Sequence, residues 1–127
     1  MNKFLSVLPV LFVSACSQIP APCNAPAPTH QGYFERALPL PQGGQLVVQE
    51  GALEPRSIGS VTVLWYRDLA VGDFVDGVSF ARDGFVTSAE LVSQRQLKIT
   101  TTSAGSGSYQ QHYWVCIDGT RLQLCQP

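Results

Sequence analysis

The chain holds few of the side-chain combinations that catalysis needs. Nucleophilic catalysis requires a Ser or Cys beside a His that a carboxylate orients, but the 127 residues include only two His. His30 lies in a proline-rich stretch without a second ligand at metal-binding spacing. His112 lies among alternating aromatic residues, which predicts a half-exposed strand position. We therefore expect no enzyme, no cofactor and no metal site.

The acidic residues and glycines also lack a catalytic or nucleotide-binding pattern. Glycoside hydrolysis uses two carboxylates across a cleft, whereas the aspartates here occur in turn contexts, where they ordinarily bind the backbone. The segment Gly105-Ser106-Gly107 lacks the further Gly or Lys of a nucleotide-binding loop. A net charge of -1 gives no general attraction to nucleic acid. The aspartates in turn contexts are Asp68, Asp73, Asp76, Asp83 and Asp118.

Four cysteines divide between the two ends of the chain, and no Cys-x-x-Cys spacing suggests zinc. Cys116 and Cys125 flank eight residues and could close a terminal hairpin, so we favour a disulfide between them. The alternative joins Cys23 to one of these two. Closing so short a loop would contribute about 2–3 kcal/mol.

The N-terminus carries the features of an export signal. Lys3 precedes an apolar run at residues 4–13, which is much shorter than the roughly 20 residues of a membrane-spanning helix. The run ends in Val13-Ser14-Ala15-Cys16, which resembles the lipobox of bacterial lipoproteins. The resemblance implies a signal peptide at residues 1–15 and a lipidated Cys16 as the mature N-terminus. Ser17, rather than Asp, implies a lipid anchor in the outer membrane that faces the periplasm.

Two further segments follow the signal. Residues 16–32 are rich in Pro and Ala and predict an extended tether, since they offer few side chains for a core. Residues 33–127 predict a single folded domain, because the chain is too short for a second one.

The domain shows the alternation of apolar and polar residues that is typical of antiparallel β structure. Turns are predicted at Asp76-Gly77, Asp83-Gly84 and Asp118-Gly119, and only residues 69–74 could form a helical turn. We therefore predict an all-β fold, a small antiparallel sandwich or barrel of about eight short strands. The predicted strands are residues 34–38, 45–49, 60–66, 75–80, 85–92, 97–101, 109–116 and 122–125.

The strand at residues 60–66 has apolar side chains on both faces. Val61, Val63 and Trp65 alternate with Thr62, Leu64 and Tyr66. Apolar residues on both faces predict a strand that is covered on both sides, and such a strand should be central in its sheet.

The segment between two predicted strands at residues 103–109 is unusual in composition. It reads Ser103-Ala104-Gly105-Ser106-Gly107-Ser108-Tyr109, so six small residues precede one large aromatic residue. One interpretation is a flexible hairpin loop. The other is a narrow loop that enters a cleft, with hydroxyl groups at its tip and Tyr109 as a rigid anchor.

Several landmarks in a fixed order resemble the bacterial periplasmic inhibitors of i-type (invertebrate) lysozyme. The family's fold is an antiparallel β-sandwich that tends to dimerise, so the resemblance implies a homodimer. It also implies lysozyme as the partner, with the i-type favoured. The landmarks are the string at residues 50–60, Asp73-Phe74-Val75 with Gly77, Arg82-Asp83-Gly84, and the loop at residues 103–109.

The resemblance assigns the inhibitory role to the loop. Ser106 and Tyr109 match the family's Ser-Gly-x-Tyr motif, which enters the lysozyme cleft and contacts the catalytic carboxylates. A hydroxyl that donates to a catalytic carboxylate competes with substrate there. The implied lysozyme-binding residues are Ser103, Gly105, Ser106, Gly107, Ser108, Tyr109 and Arg56. A structural role is equally open for Arg56, which could pair with a turn carboxylate, and is favoured for Arg82.

Two other functions remain open from the residues alone. One is a structural outer-membrane lipoprotein that acts as an assembly factor or pilotin through strand edges or the Tyr113 and Trp114 region. The other is a sugar-binding module that stacks glycans on aromatic side chains. Its platforms would be Trp65, Tyr66, Tyr113 and Trp114, although a core position is favoured for Trp65.

Overall fold

Eight antiparallel strands follow the alternation in the sequence, in a computed structural model that describes residues 33–127. The predicted all-β fold is confirmed, and each predicted strand has its counterpart, although β3 and β4 extend further at both ends. The strands are β1 (Glu35–Pro39), β2 (Gln45–Glu50), β3 (Ile58–Asp68), β4 (Asp73–Asp83), β5 (Phe85–Ser93), β6 (Gln96–Thr102), β7 (Gln110–Asp118) and β8 (Arg121–Cys125).

The strands form two four-stranded sheets, and each sheet is a simple meander. β1 to β4 pair in chain order in the first sheet, and β5 to β8 do so in the second. Gly84 is the single residue between β4 and β5, where the chain passes from one sheet to the other. Its φ of +78° is a backbone conformation that residues with side chains rarely adopt. A Cβ atom at this position would also overlap the carbonyl oxygen of Thr102. The predicted turn at Asp83-Gly84 is therefore confirmed as the passage between the sheets.

One apolar core lies between the sheets. Because side chains alternate between the two faces of a strand, most buried residues of the inner strands lie at alternate positions. Each fully buried side chain of this size contributes roughly 1.5–3 kcal/mol. The largest fully buried apolar side chains are Leu46, Val48, Val61 and Val63 from the first sheet and Leu97, Ile99 and Val115 from the second.

β3 is an inner strand of its sheet, as predicted, but only one of its faces is fully buried. Val61 and Val63 are completely inaccessible, and Trp65 packs partly buried against the core. On the opposite face Leu64 and Tyr66 are only partly buried, because no further layer covers the outside of this sheet among the described residues. The prediction that β3 is covered on both faces was therefore wrong.

One predicted turn lies inside a strand. Asp76 and Gly77 pair with Trp65 and Leu64 in the middle of β4. The residues that do turn are Leu69 to Gly72, where the Gly72 N–H donates a 3.2 Å hydrogen bond to the Leu69 carbonyl oxygen. They form a turn between β3 and β4 and not a helical turn. The predicted Asp118-Gly119 turn joins β7 to β8, with Gly119 at a φ of +61°.

A disulfide joins Cys116 in β7 to Cys125 in β8, with 5.8 Å between the two Cα atoms. This is the pairing that the sequence analysis favours. Cys23, the signal peptide, Cys16, His30 and the tether lie outside the described residues. Residues 33–127 contain no helix that could cross a membrane.

Candidate functional site

The finger loop, residues 103–109, connects β6 to β7 and is exposed. Its neck is closed by two hydrogen bonds between Ser103 and Tyr109. The Ser103 N–H donates to the Tyr109 carbonyl oxygen at 2.8 Å. The Tyr109 N–H donates to the Ser103 hydroxyl at 3.2 Å. The finger loop is therefore held at its base while residues 104–109 face solvent.

Tyr109 is the largest exposed side chain of the finger loop, with 76% of its surface accessible. Its ring lies against Gly107, where a Cβ atom would overlap the ring carbons. Ser108 adopts a φ of +49°, a left-handed conformation that is uncommon outside glycine. No atom lies within 4 Å of a Cβ placed on Gly105. The tip is thus narrow and presents one aromatic ring beside the small residues that include the exposed Ser106.

Arg56 lies next to the base of the finger loop. Its guanidinium carbon sits 4.0 Å from the centre of the Phe85 ring, and Phe85 pairs with Thr102, the residue before the finger loop. Arg56 therefore stacks on an aromatic ring, and no turn carboxylate pairs with it among the described residues. Its side chain is exposed beside the predicted inhibitory residues.

Arg82 holds the β2–β3 loop, residues 51–57, from inside the protein. Only 3% of Arg82 is accessible. Its guanidinium donates to the carbonyl oxygens of Arg56 at 3.0 Å and Pro55 at 3.1 Å, and also to that of Gly84. Arg82 thus ties the β2–β3 loop to the passage between the sheets, which is the structural role that the sequence analysis favours.

Two glutamates also hold the backbone around the β2–β3 loop in place. Buried Glu50 lies 3.9 Å from Arg82 and accepts hydrogen bonds from the N–H groups of Phe34 and Val86. Glu54 accepts from the Ser60 N–H at 2.6 Å and the Ser60 hydroxyl at 2.8 Å. The Ser60 N–H is the main cause that lowers the pKa of Glu54, with its hydroxyl next. Both carboxylates therefore fix backbone and do not form a catalytic pair.

Glu50 was not predicted as a buried residue, although its position in the sequence indicates it. Leu46, Val48 and Glu50 occupy every second position of β2, so alternation places the carboxylate on the buried face. The same rule places Arg82 on the face of Phe80 in β4. A buried carboxylate and a buried guanidinium on one face imply that the two groups pair.

The remaining candidate residues do not assemble into a site. His112 is exposed, and its Nδ1 lies 3.0 Å from the Thr100 hydroxyl. Within residues 33–127 no group of three His, Cys, Asp or Glu side chains could hold a metal ion.

The four aromatic residues considered as glycan platforms lie on different faces. Trp65 and Tyr113 pack against the core between the sheets. Tyr66 contacts Phe74 edge-on at 5.8 Å on the outside of the first sheet. The Lys98 ammonium lies 5.5 Å from the Trp114 ring on the outside of the second. No single stacking surface results.

A protein-family model described as periplasmic lysozyme inhibitor of I-type lysozyme matches residues 33–126, which is nearly the whole described domain. A search of curated proteins found no significant match.

Two solved structures resemble this chain in sequence and fold. One is PliI-Ah, the periplasmic lysozyme inhibitor of I-type lysozyme from Aeromonas hydrophila, at 32% identity and a TM-score of 0.65. The alignment covers 72% of this chain and 84% of that one. The other is Aeromonas hydrophila PliI in complex with Meretrix lusoria lysozyme, at 31% identity and a TM-score of 0.65. That alignment covers 72% of this chain and 81% of the relative.

Proposed function

Because this chain belongs to the family of periplasmic inhibitors of I-type lysozyme, we propose that it inhibits a lysozyme by inserting the finger loop into the active-site cleft. The observation that carries the proposal is the geometry of the finger loop. Its neck is closed by the hydrogen bonds between Ser103 and Tyr109, and its tip is exposed. A loop that is ordered before binding loses little conformational entropy when it enters a cleft.

The chemistry of the finger loop suits a lysozyme cleft. A lysozyme uses one carboxylic acid to protonate the leaving group and a second carboxylate beside the scissile bond. The Ser106 hydroxyl would donate a hydrogen bond to one of these carboxylates, and the Tyr109 ring would fill the space that substrate occupies. The protein acts here as a binding partner and contributes no catalysis of its own.

The magnitudes show that the finger loop needs support from neighbouring surface. A hydrogen bond to a charged group contributes about 1.5–3 kcal/mol. Burial of an aromatic side chain contributes a similar amount, whereas a nanomolar complex requires about 12 kcal/mol. Arg56, exposed beside the base of the finger loop, is the first candidate for additional contact, since an acidic cleft attracts a guanidinium.

A muramidase assay tests this function directly. The purified protein is titrated against Meretrix lusoria lysozyme and against lysozymes of the c and g types, together with Ser106→Ala, Tyr109→Ala and the double variant. We expect the double variant to inhibit at least 100-fold less well, because the hydroxyl and the ring act together. Thr120→Ala, in the β7–β8 turn at the opposite end of the molecule, is the control and should inhibit like the wild type.

Equal potency of the wild type and the double variant would exclude the finger loop as the inhibitory element. Absence of inhibition of every lysozyme would favour the alternative role as an assembly factor or pilotin.

We further propose that residues 1–15 are removed and that a lipidated Cys16 anchors the protein in the outer membrane, facing the periplasm. The described chain begins just before β1, whose residue Glu35 pairs with Gln49 near the β2–β3 loop, so the chain enters the domain at the end that carries the finger loop. An extended tether of residues 16–32 would span about 50 Å at about 3.1 Å per residue.

The anchor is tested by labelling with palmitate. The wild type should incorporate the label and sediment with outer membranes, and Cys16→Ser should lose the label and appear in the soluble periplasmic fraction. A labelled Cys16→Ser protein would exclude the proposed attachment site.

We also propose a homodimer, on the basis of the resemblance. The surface that it would bury is the outside of the first sheet, where half-buried or exposed apolar residues line a shallow groove and its margin. These apolar residues are Val47, Leu64, Tyr66 and Phe74.

Sedimentation equilibrium tests the proposed homodimer, and a monomer at micromolar concentration would exclude a stable dimer.

A further inference from the structure

Two large apolar side chains outside the finger loop are exposed at the same end of the molecule. Leu53, in the β2–β3 loop, is 87% accessible, and Ile58, the first residue of β3, is 63% accessible. Their chain neighbours Pro55 and Arg56 accept hydrogen bonds from the buried guanidinium of Arg82. The exposure of Leu53 and Ile58 is therefore a property of an ordered segment.

The β2–β3 loop and the finger loop lie side by side, because both contact Gly84. The Gly84 N–H donates a 2.8 Å hydrogen bond to the Ser57 carbonyl oxygen. On the other side, a Cβ at Gly84 would lie 3.0 Å from the Cα atom of Ser103, the first residue of the finger loop. The two loops thus contact the same residue, which places the β2–β3 loop beside the base of the finger loop.

The loop that carries Leu53 is held in place at several points. The Glu54 N–H donates a 3.2 Å hydrogen bond to the Gly51 carbonyl oxygen and closes a turn around Leu53. The Glu54 carboxylate binds the N–H and hydroxyl of Ser60. An apolar side chain on such a preformed turn loses little backbone entropy on binding, so its burial contributes almost fully to affinity.

We propose that the β2–β3 loop is a second lysozyme contact, in which Leu53 and Ile58 pack on an apolar rim of the cleft that receives the finger loop. This inference rests on the proposed function. It assigns the additional surface that the finger loop requires, and it makes these two residues determinants of which lysozymes are bound tightly. A lysozyme with a charged or polar rim would be inhibited less well than one with an apolar rim.

The test measures binding of Meretrix lusoria lysozyme by the full protein, in the wild type and in variants that replace the exposed apolar side chains. Leu53→Ser, Ile58→Ser and the double variant are compared with Val71→Ser. Val71 is 77% accessible in the β3–β4 turn, at the end opposite the finger loop, and is the matched control. Thermal unfolding of every variant is recorded, and the midpoints should agree because the side chains are exposed in the free protein.

We expect each single variant to weaken binding about 5- to 20-fold, the double variant about 100-fold, and Val71→Ser not at all. The loss should appear mainly as faster dissociation. Wild-type affinity of the double variant, alongside weak binding by Tyr109→Ala, would overturn this inference and leave the proposed function intact. Wild-type affinity of Tyr109→Ala and Ser106→Ala would instead refute the finger-loop mechanism, and a weakened Val71→Ser would refute the specificity of the β2–β3 loop.

Discussion

The backbone N–H of Leu122 in β8 donates a 2.7 Å hydrogen bond to the carboxylate of Asp76 in β4. The two strands belong to different sheets, so this bond joins the sheets at their edges. Leu122 is buried in the core, and the bond satisfies an edge N–H group that would otherwise lack a strand partner. Asp76 is therefore a link between the sheets.

The Asp76 bond makes stability depend on acid pH. The Leu122 N–H is the main cause that lowers the pKa of Asp76, and the Gly77 N–H adds to it. A carboxylate with a lowered folded-state pKa contributes stability that is present above its unfolded pKa, about 3.9, and lost as the pH falls through the folded value. We expect Asp76→Asn to be less stable at pH 7 and to lose less stability than the wild type between pH 5 and pH 2.

Urea unfolding at a series of pH values measures this difference. Asp118→Asn removes an exposed carboxylate at the end of β7 and controls for the change in net charge. Parallel stability curves for the wild type and Asp76→Asn across the acid range would contradict the prediction.

Arg82→Met should destabilise the protein strongly. The substitution removes the donors to four carbonyl groups, those of Pro55, Arg56, Ser60 and Gly84. It also leaves Glu50 buried without its cation. Breaking such a buried pair costs about 3–5 kcal/mol of the free energy of unfolding. Arg67→Met is the matched control, because its ion pair with Asp73 is exposed and contributes at most about 1 kcal/mol. Chemical denaturation measures both, and a similar loss in the two variants would be inconsistent with the proposed role of Arg82.

Two glycines of the finger loop should respond differently to the same added methyl group. At Gly107 a Cβ atom would overlap the Tyr109 ring, whereas at Gly105 it would meet no atom within 4 Å. Gly107→Ala should therefore displace the ring and weaken inhibition about tenfold more than Gly105→Ala does. Lysozyme titration gives the comparison, and thermal unfolding should show both variants folded. The same potency in both would mean that the packing of the ring on Gly107 does not matter.

Loss of the disulfide should reduce stability without abolishing the fold. The disulfide joins Cys116 to Cys125, which lie nine positions apart in the sequence, and so closes a short loop. In the chain-entropy description, such a short loop contributes about 2–3 kcal/mol. The double variant Cys116→Ala, Cys125→Ala should lose this amount in urea unfolding, and reductant should produce the same loss in the wild type but no further loss in the variant. A wild-type free energy of unfolding that reductant leaves unchanged would contradict this prediction.

Local patterns in the sequence determined the strands and most turns. Alternation is a local consequence of burying one face, so β2 with Leu46 and Val48 could be read directly from its residues. The disulfide between Cys116 and Cys125 was also favoured from spacing alone, since two cysteines across a short hairpin lie close together. The composition of residues 103–109 likewise identified the finger loop as an exposed connection.

Only the tertiary structure decided which distant residues meet. Asp76-Gly77 has the composition of a turn, but pairing with β3 and the bond to Leu122 keep it inside a strand, because long-range hydrogen bonds outweigh local turn preference. Gly84 brings the β2–β3 loop beside the finger loop in the same way. The alternation of apolar and polar residues predicts which face of a strand a residue occupies. The packing of one sheet on the other determines which residues are its neighbours on that face.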